Sequence, residues 1–149
     1  MKHTTVAVSG GFDPIHIGHV RLINEAKRLG NRLVVIVNND NWLKQKKKYV
    51  FMNETDRVEI IKNLRSVDEV ILTKHQKNPT DMSVYEELKE VRPDIFANGG
   101  DRKSDNIPEY QLCDELGIHM AFNIGGEKIR SSSELVRKAP KTKQSQVQI

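Results

Sequence analysis

The run Leu33-Val34-Val35-Ile36-Val37 constrains the fold of this chain more than any other segment. Side chains along a strand alternate between its two faces, so five consecutive branched aliphatic residues demand cover on both sides. A parallel sheet with helices on each face meets that condition, and its strands read as continuous apolar runs. Strand-like runs are predicted at residues 4–9, 32–38, 69–73, 95–98 and 119–124. Between them, apolar residues at helical spacing predict helices near 18–29, 54–64, 81–91 and 108–116, with a last short one at 132–137. Asn53 and Thr80 read as N-caps, and Gly30 and Gly117 fall where helices should stop. The alternation predicts an α/β, Rossmann-like, doubly wound parallel sheet of five strands with helices on both faces. Ligands of such sheets bind at the C-terminal ends of the strands.

Composition sets the limits on function. The chain has 149 residues, which suits one domain over residues 1–138, with no internal repeat. Residues 139–149 are polar and aperiodic, and are expected to form a disordered basic tail. The net charge is +4, and Arg137, Lys138, Lys141 and Lys143 account for all of it, leaving residues 1–136 neutral. A nucleic-acid binder would carry its basic excess on the folded body, so nucleic acid is not an expected partner. No apolar run reaches membrane-spanning length, and the N-terminus lacks the apolar core of a signal peptide. With a single cysteine, Cys113, the expected compartment is the reducing cytoplasm.

Chemistry concentrates in Gly10-Gly11-Phe12-Asp13-Pro14-Ile15-His16-Ile17-Gly18-His19, where the first strand hands over to the first helix. Gly10 and Gly11 permit a tight turn and close backbone approach to a ligand. The first turn of a helix has unpaired N–H groups and a positive dipole end, which attract phosphate. His16 and His19, three residues apart at that position, can both face the bound anion. As alternatives, the pair could cap the helix or form half of a metal site, but no nearby Cys, His or Glu cluster completes the latter, so no metal ligands are assigned. Gly10, Gly11, Phe12, Asp13 and Gly18 are candidates for binding nucleotide, with Asp13 also read as fixing the loop through hydrogen bonds. The chain contains neither a G-x-x-x-x-G-K-[ST] P-loop nor a G-x-G-x-x-G fingerprint.

The segment resembles the G-x-F-D-x-x-H-x-G-H signature of the cytidylyltransferase-like nucleotidyltransferases, matching it at Gly10, Phe12, Asp13, His16, Gly18 and His19. The resemblance implies joining a nucleoside triphosphate to a phosphorylated small molecule with release of pyrophosphate. It also implies Mg²⁺ bound with the nucleotide, a homodimer, and histidines that stabilise charge on the reacting phosphate. Lys44-Gln45-Lys46-Lys47-Lys48-Tyr49 resembles a lysine motif of glycerol-3-phosphate cytidylyltransferases, which implies phosphate contacts for Lys44 and Lys46, with Lys46 also at the reaction centre. By composition alone the same run reads as a solvated face. Arg57 and Arg65 are candidates for the substrate phosphate, against a bland reading as surface ion pairs. Gly99-Gly100-Asp101 resembles the Gly-Gly-Asp of heptose-phosphate adenylyltransferases and would receive the nucleoside; otherwise it is an ordinary turn. Ser131, Ser132 and Ser133 match the hydroxyls of the family's second signature, with helix capping as the plain alternative. Gly126 stands where the cytidylyltransferases have arginine, and Lys128 or Arg130 is expected to supply that charge.

The lysine motif leans toward CTP and a phosphorylated alcohol, and the glycine pair toward ATP and a sugar phosphate or cofactor precursor; CTP is slightly favoured. A nucleotide-binding module without turnover is the rival class, and the intact signature argues against it. Trp42 could cover the site but reads better as packing. His3, His75, His119 and Cys113 are expected to be structural or exposed.

Overall fold

The computed structural model describes residues 3–100, 107–126 and 131–139. The strands are β1 (Thr5–Gly10), β2 (Arg32–Val37), β3 (Glu69–Leu72), β4 (Ile95–Ala97) and β5 (His119–Ala121). All pair in parallel, in the spatial order β3-β2-β1-β4-β5. The helices are α1 (Ile17–Lys27), α2 (Asp40–Lys47), α3 (Glu54–Lys62), α4 (Tyr85–Val91), α5 (Tyr110–Leu116) and α6 (Ser132–Lys138).

Strand alternation divides the core into two layers, as the β2 run requires. Val6 and Val8 of β1 and Leu33, Val35 and Val37 of β2 face one side, where Ile23 and Ala26 of α1 and Ile61 of α3 cover them. Ala7 and Ile36 face the other side, packed with Leu88 of α4 and Cys113 of α5. The register sets Val6 opposite Leu33 and Val8 opposite Val35, so apolar rows run straight across the sheet centre. From β1 the chain winds one way through β2 and β3, then returns to build β4 and β5 on the opposite side. The strand order therefore reverses between β1 and β4, which opens a crevice at their C-terminal ends.

Several local expectations need correction. The lysine-rich stretch is a helix, α2, which Asn39 caps by accepting the Trp42 N–H. Its lysines crowd the last turn, where the helix dipole favours cations. Helix α4 begins at Tyr85, and Val84 rather than Thr80 is its N-cap. The preceding stretch is instead held by side-chain bonds, with the Asp81 carboxylate accepting from the Ser83 N–H and hydroxyl. Asn53 does cap α3, accepting from the Asp56 N–H, and Gly117 ends α5 in the left-handed conformation. The expected tail, from residue 140, lies outside the described residues.

Arg57 is neither a phosphate ligand nor a surface ion pair in this fold. Its side chain is buried, and its guanidinium donates to the carbonyls of Gly11 (2.8 Å), Asn38 (2.5 Å) and Met52 (2.9 Å) and to the Asp40 carboxylate (2.7 Å). A planar fork of donors suits four acceptors that converge from the ends of β1 and β2 and from both flanking helices. Replacing Arg57 by Leu strands those acceptors, three of them main-chain carbonyls. We expect a loss of about 2–4 kcal/mol in stability, read as a lower urea midpoint with an unchanged far-UV spectrum at zero denaturant.

Candidate active site

The crevice between β1 and β4 holds a cavity of about 370 Å³. Gly11, Phe12, His16, Gly18 and His19 form one wall. Gly99 and Gly100 after β4, with Ile124, Gly125 and Gly126 after β5, form the next. Ser131, Ser132 and Ser133 close a third side, and Trp42 and Lys47 of α2 a fourth. Segments separated by more than a hundred residues thus meet where the topology places a ligand.

The histidines hold α1 and face the cavity at once. His16 is the N-cap; its Nδ1 accepts the Gly18 N–H at 3.0 Å, while its own N–H donates to His19 Nδ1 at 3.1 Å. Both Nδ1 atoms are acceptors, so in both rings the proton sits on Nε2. Capping and phosphate contact are therefore compatible, because they use opposite nitrogens. The rings stack with centroids 3.9 Å apart. Burial, then the neighbouring His16, then Lys47, push His19 down from 6.5 to about 3. A neutral Nε2–H donor is the result.

The other motif residues set this geometry. A Cβ on Gly18 would sit 2.8 Å from His16 Cε1, so only glycine leaves room for the capping imidazole. Phe12 is buried with φ +53 and meets His19 edge-on at 4.9 Å. The left-handed conformation costs a non-glycine residue roughly 1–2 kcal/mol, which burial of the ring offsets. Gly10 has the Phe12 ring where its side chain would be, so its space serves the loop rather than a ligand. Asp13 is fully buried, and its carboxylate accepts from the N–H groups of Phe51 (2.7 Å) and Met52 (2.5 Å). Asp13 therefore fixes the loop, and the expectation that it binds nucleotide is corrected, because its carboxylate is buried and spent on these N–H groups and does not line the cavity.

The serines divide their work. Ser131 is the N-cap of α6, accepting the Glu134 N–H at 3.0 Å. Ser132 is buried and donates to the Pro14 carbonyl at 2.7 Å, tying the second signature to the first. Ser133 is exposed at the rim. On the opposite wall Gly125, at φ +84, lies against the α1 backbone, where a Cβ would come within 2.9 Å of Leu22 Cα.

Not every predicted residue arrives at the cavity. Lys47 lines it, whereas Lys44 faces another hollow beside Lys77 and Asn78. The two lysines stand one helical turn apart on α2, and Lys47, at its C-terminal end, is the one that reaches the cavity. Lys46 lies in an adjoining recess of about 510 Å³ that shares Lys47 and Ser133 with the main cavity and also takes in Tyr49 and Arg137. Arg65 is exposed between α3 and β3, at the N-terminal edge of the sheet, away from the cavity. Asp101, Lys128 and Arg130 lie outside the described residues. The sequence reading missed Lys47 and Arg137 and undervalued Trp42. Recognising α2 as a helix would have singled out Lys47, because a helix presents only part of a lysine run to any one side. Among the other histidines, His75 is bonded to the Thr73 hydroxyl and the Ser83 carbonyl, and His3 and His119 are exposed.

A doubly wound parallel sheet with a histidine- and lysine-lined cavity at its switch point defines a nucleotide-handling α/β protein. Residues 7–139 match the cytidylyltransferase-like family model, and the chain belongs to that family, as a nucleotidyltransferase. It is 40% identical over 116 residues to the FAD synthase of Pyrococcus horikoshii, covering 77% of this chain and 75% of that one. It is 31% identical over 137 residues to the FAD synthase of Picrophilus torridus, covering 89% and 94% respectively. A lipopolysaccharide core biosynthesis protein from Thermoplasma volcanium superposes with a TM-score of 0.70 at 27% identity, covering 85% of this chain and all of the other. No helix among the described residues is long and apolar enough to cross a membrane.

The depressed His19 value has a consequence for stability. The unfolded chain takes up this proton near pH 6.5, the folded protein only near 3. His19 thus contributes stability that is complete above about pH 6.5 and declines as pH falls toward 3. Between about pH 6.5 and 4.5, above the carboxylate range, the His19→Gln variant should lose less of its urea midpoint than the wild type. Equal losses would show that His19 is not held neutral.

Proposed function

We propose that the chain transfers the adenylyl group of ATP to the phosphate of FMN, giving FAD and pyrophosphate. The observation that carries this reading is the single cavity where the histidine signature, the glycine pairs and the serine signature meet. The adenylyl choice rests on the FAD synthases at 31–40% identity. They favour the adenylyltransferase alternative over the slight preference for CTP drawn from the lysine motif.

In this reading a phosphate oxygen of FMN attacks the α-phosphorus of ATP. A new phosphoanhydride forms as the bond between the α- and β-phosphates breaks, and the electron pair leaves with pyrophosphate. The attacking oxygen is already ionised at neutral pH, so no strong general base is needed. The chain's task is to position phosphates and to stabilise charge as it grows. His16 and His19 offer Nε2–H donors that are fixed before the reaction, so little reorganisation is needed. Lys47 brings a cation to another wall of the same cavity, and Lys46 and Arg137 border the recess into which phosphates can extend. Ser133 lies between the two. The open glycine-lined wall at 99–100 and 125–126 admits the flat nucleoside. Mg²⁺ would travel on the phosphates: no group of three or more His, Cys, Asp or Glu gathers among the described residues to hold an ion, and magnesium commonly binds through substrate phosphates. Bound there, it screens their charge.

Four nucleoside triphosphates tested separately with FMN, with pyrophosphate and FAD as readouts, decide the reaction. ATP should give FAD; CTP turnover with a phosphorylated alcohol instead would restore the cytidylyl reading. His16→Ala and His19→Ala should each lower turnover by about 10²-fold or more. Each should also cost about 1 kcal/mol in stability, because each loses a capping bond. Lys47→Ala should lower kcat/KM about tenfold or more, while Lys44→Ala stays near wild type. Loss of activity from Lys44→Ala alone would place the phosphates in the hollow beside Lys77 and Asn78.

A further inference from the structure

Trp42 is the chain's single tryptophan and borders the cavity from α2. Its indole N–H is committed to the Met82 carbonyl at 2.9 Å, so the ring is held between α2 and the segment that precedes α4. Its far edge approaches the β1–α1 loop, with Cζ3 3.5 Å from the place a Gly11 side chain would start. A partly buried tryptophan with a satisfied N–H adds an apolar ring to a cavity that also carries histidines, a lysine and serines. The wall it forms lies on the β2 side of the crevice, across from the glycine pairs that follow β4 and β5. Lys47, five residues on, stands on the same helix and lines the same cavity.

We infer that Trp42 is a specificity-determining residue that packs against the planar aromatic ring of the acceptor, with Lys47 meeting the acceptor's phosphate. This rests on the adenylyl-transfer reading and extends it: the acceptor is a phosphomonoester carrying a fused, flat ring system, and it occupies the α2 side of the cavity. A sugar phosphate or a small phosphorylated alcohol would leave the indole facing solvent across the cavity and would gain little from it. Aromatic contact is the interaction that separates these acceptor classes, because it scales with ring area while the phosphate contacts are common to all.

Full-length wild type, Trp42→Ala and Trp42→Phe are compared with ATP and FMN. Trp42→Ala should raise the KM for FMN about tenfold or more while leaving affinity for a non-hydrolysable ATP analogue within about twofold. Trp42→Phe keeps a ring but loses the bond to Met82, and should restore most of the FMN affinity. An independent signature comes from the flavin itself, whose emission is quenched by contact with an electron-rich indole. Bound FMN should fluoresce more strongly in Trp42→Phe than in wild type. Equal loss of FMN and ATP affinity in Trp42→Ala would overturn the proposal. So would unchanged FMN kinetics, or a Trp42→Phe variant as impaired as Trp42→Ala, which would make the indole only an anchor for the Met82 segment. Wild type that forms no FAD overturns the adenylyl-transfer reading and this inference together; FAD formation without the predicted split overturns the inference alone.

Discussion

The guanidinium of Arg57 is the interaction on which the site depends. It sits beneath the crevice with no exposed surface and binds the ends of the two central strands from below, through the Gly11 and Asn38 carbonyls. Main-chain carbonyls at strand ends have lost their ladder partners and cannot be left dry inside a protein. One side chain satisfies two of them, takes the Met52 carbonyl before α3 as well, and pairs with Asp40 at the start of α2. Asp13 acts from the opposite direction, taking the N–H groups of Phe51 and Met52. Together, an acid and a base fasten the β1–α1 loop to the segment between α2 and α3 without facing the cavity. The histidine wall and the lysine helix are consequently parts of one rigid frame.

That frame explains how two imidazoles can be structural and chemical at the same time. Capping consumes Nδ1 and, by fixing the tautomer, defines what Nε2 presents. Burial of His19, with His16 and Lys47 beside it, opposes its protonation, so in the proposed reaction His19 would meet phosphate oxygens as a neutral donor. A lysine nearby supplies the cation in place of a protonated histidine. The division lets donor geometry and net charge be set by different residues.

Much of this was legible in the sequence because it is local. The β2 run required cover on both faces, and the two apolar layers follow from it. Asn53 and Gly117 mark helix ends through interactions with their immediate neighbours, and the Gly18 spacing between the histidines is a single-turn constraint. What escaped was decided by distant partners. Arg57 looks like a surface residue on a charged helix until its acceptors converge from residues 11, 38 and 40. Six polar residues in eight made α2 look like a loop, and its helicity depends on the Asn39 cap and on Leu43 buried beneath Gly11. Arg65 was a candidate for the substrate phosphate, but the fold places it at the N-terminal edge of the sheet, away from the cavity. Ser132 reads as a cap because Ser131 beside it is one, and its actual partner lies 118 residues away.

That last bond has a temporal side. The Ser132 hydroxyl reaches back to Pro14 only after all five strands have been made, since every strand precedes it in the chain. During synthesis the sheet can assemble with its histidine loop in place while the cavity still lacks its third wall. In the proposed function, the nucleotide site is incomplete until that bond forms. The order of residues along the polypeptide thus sets the order in which structure and chemistry become available, and the chemistry comes second.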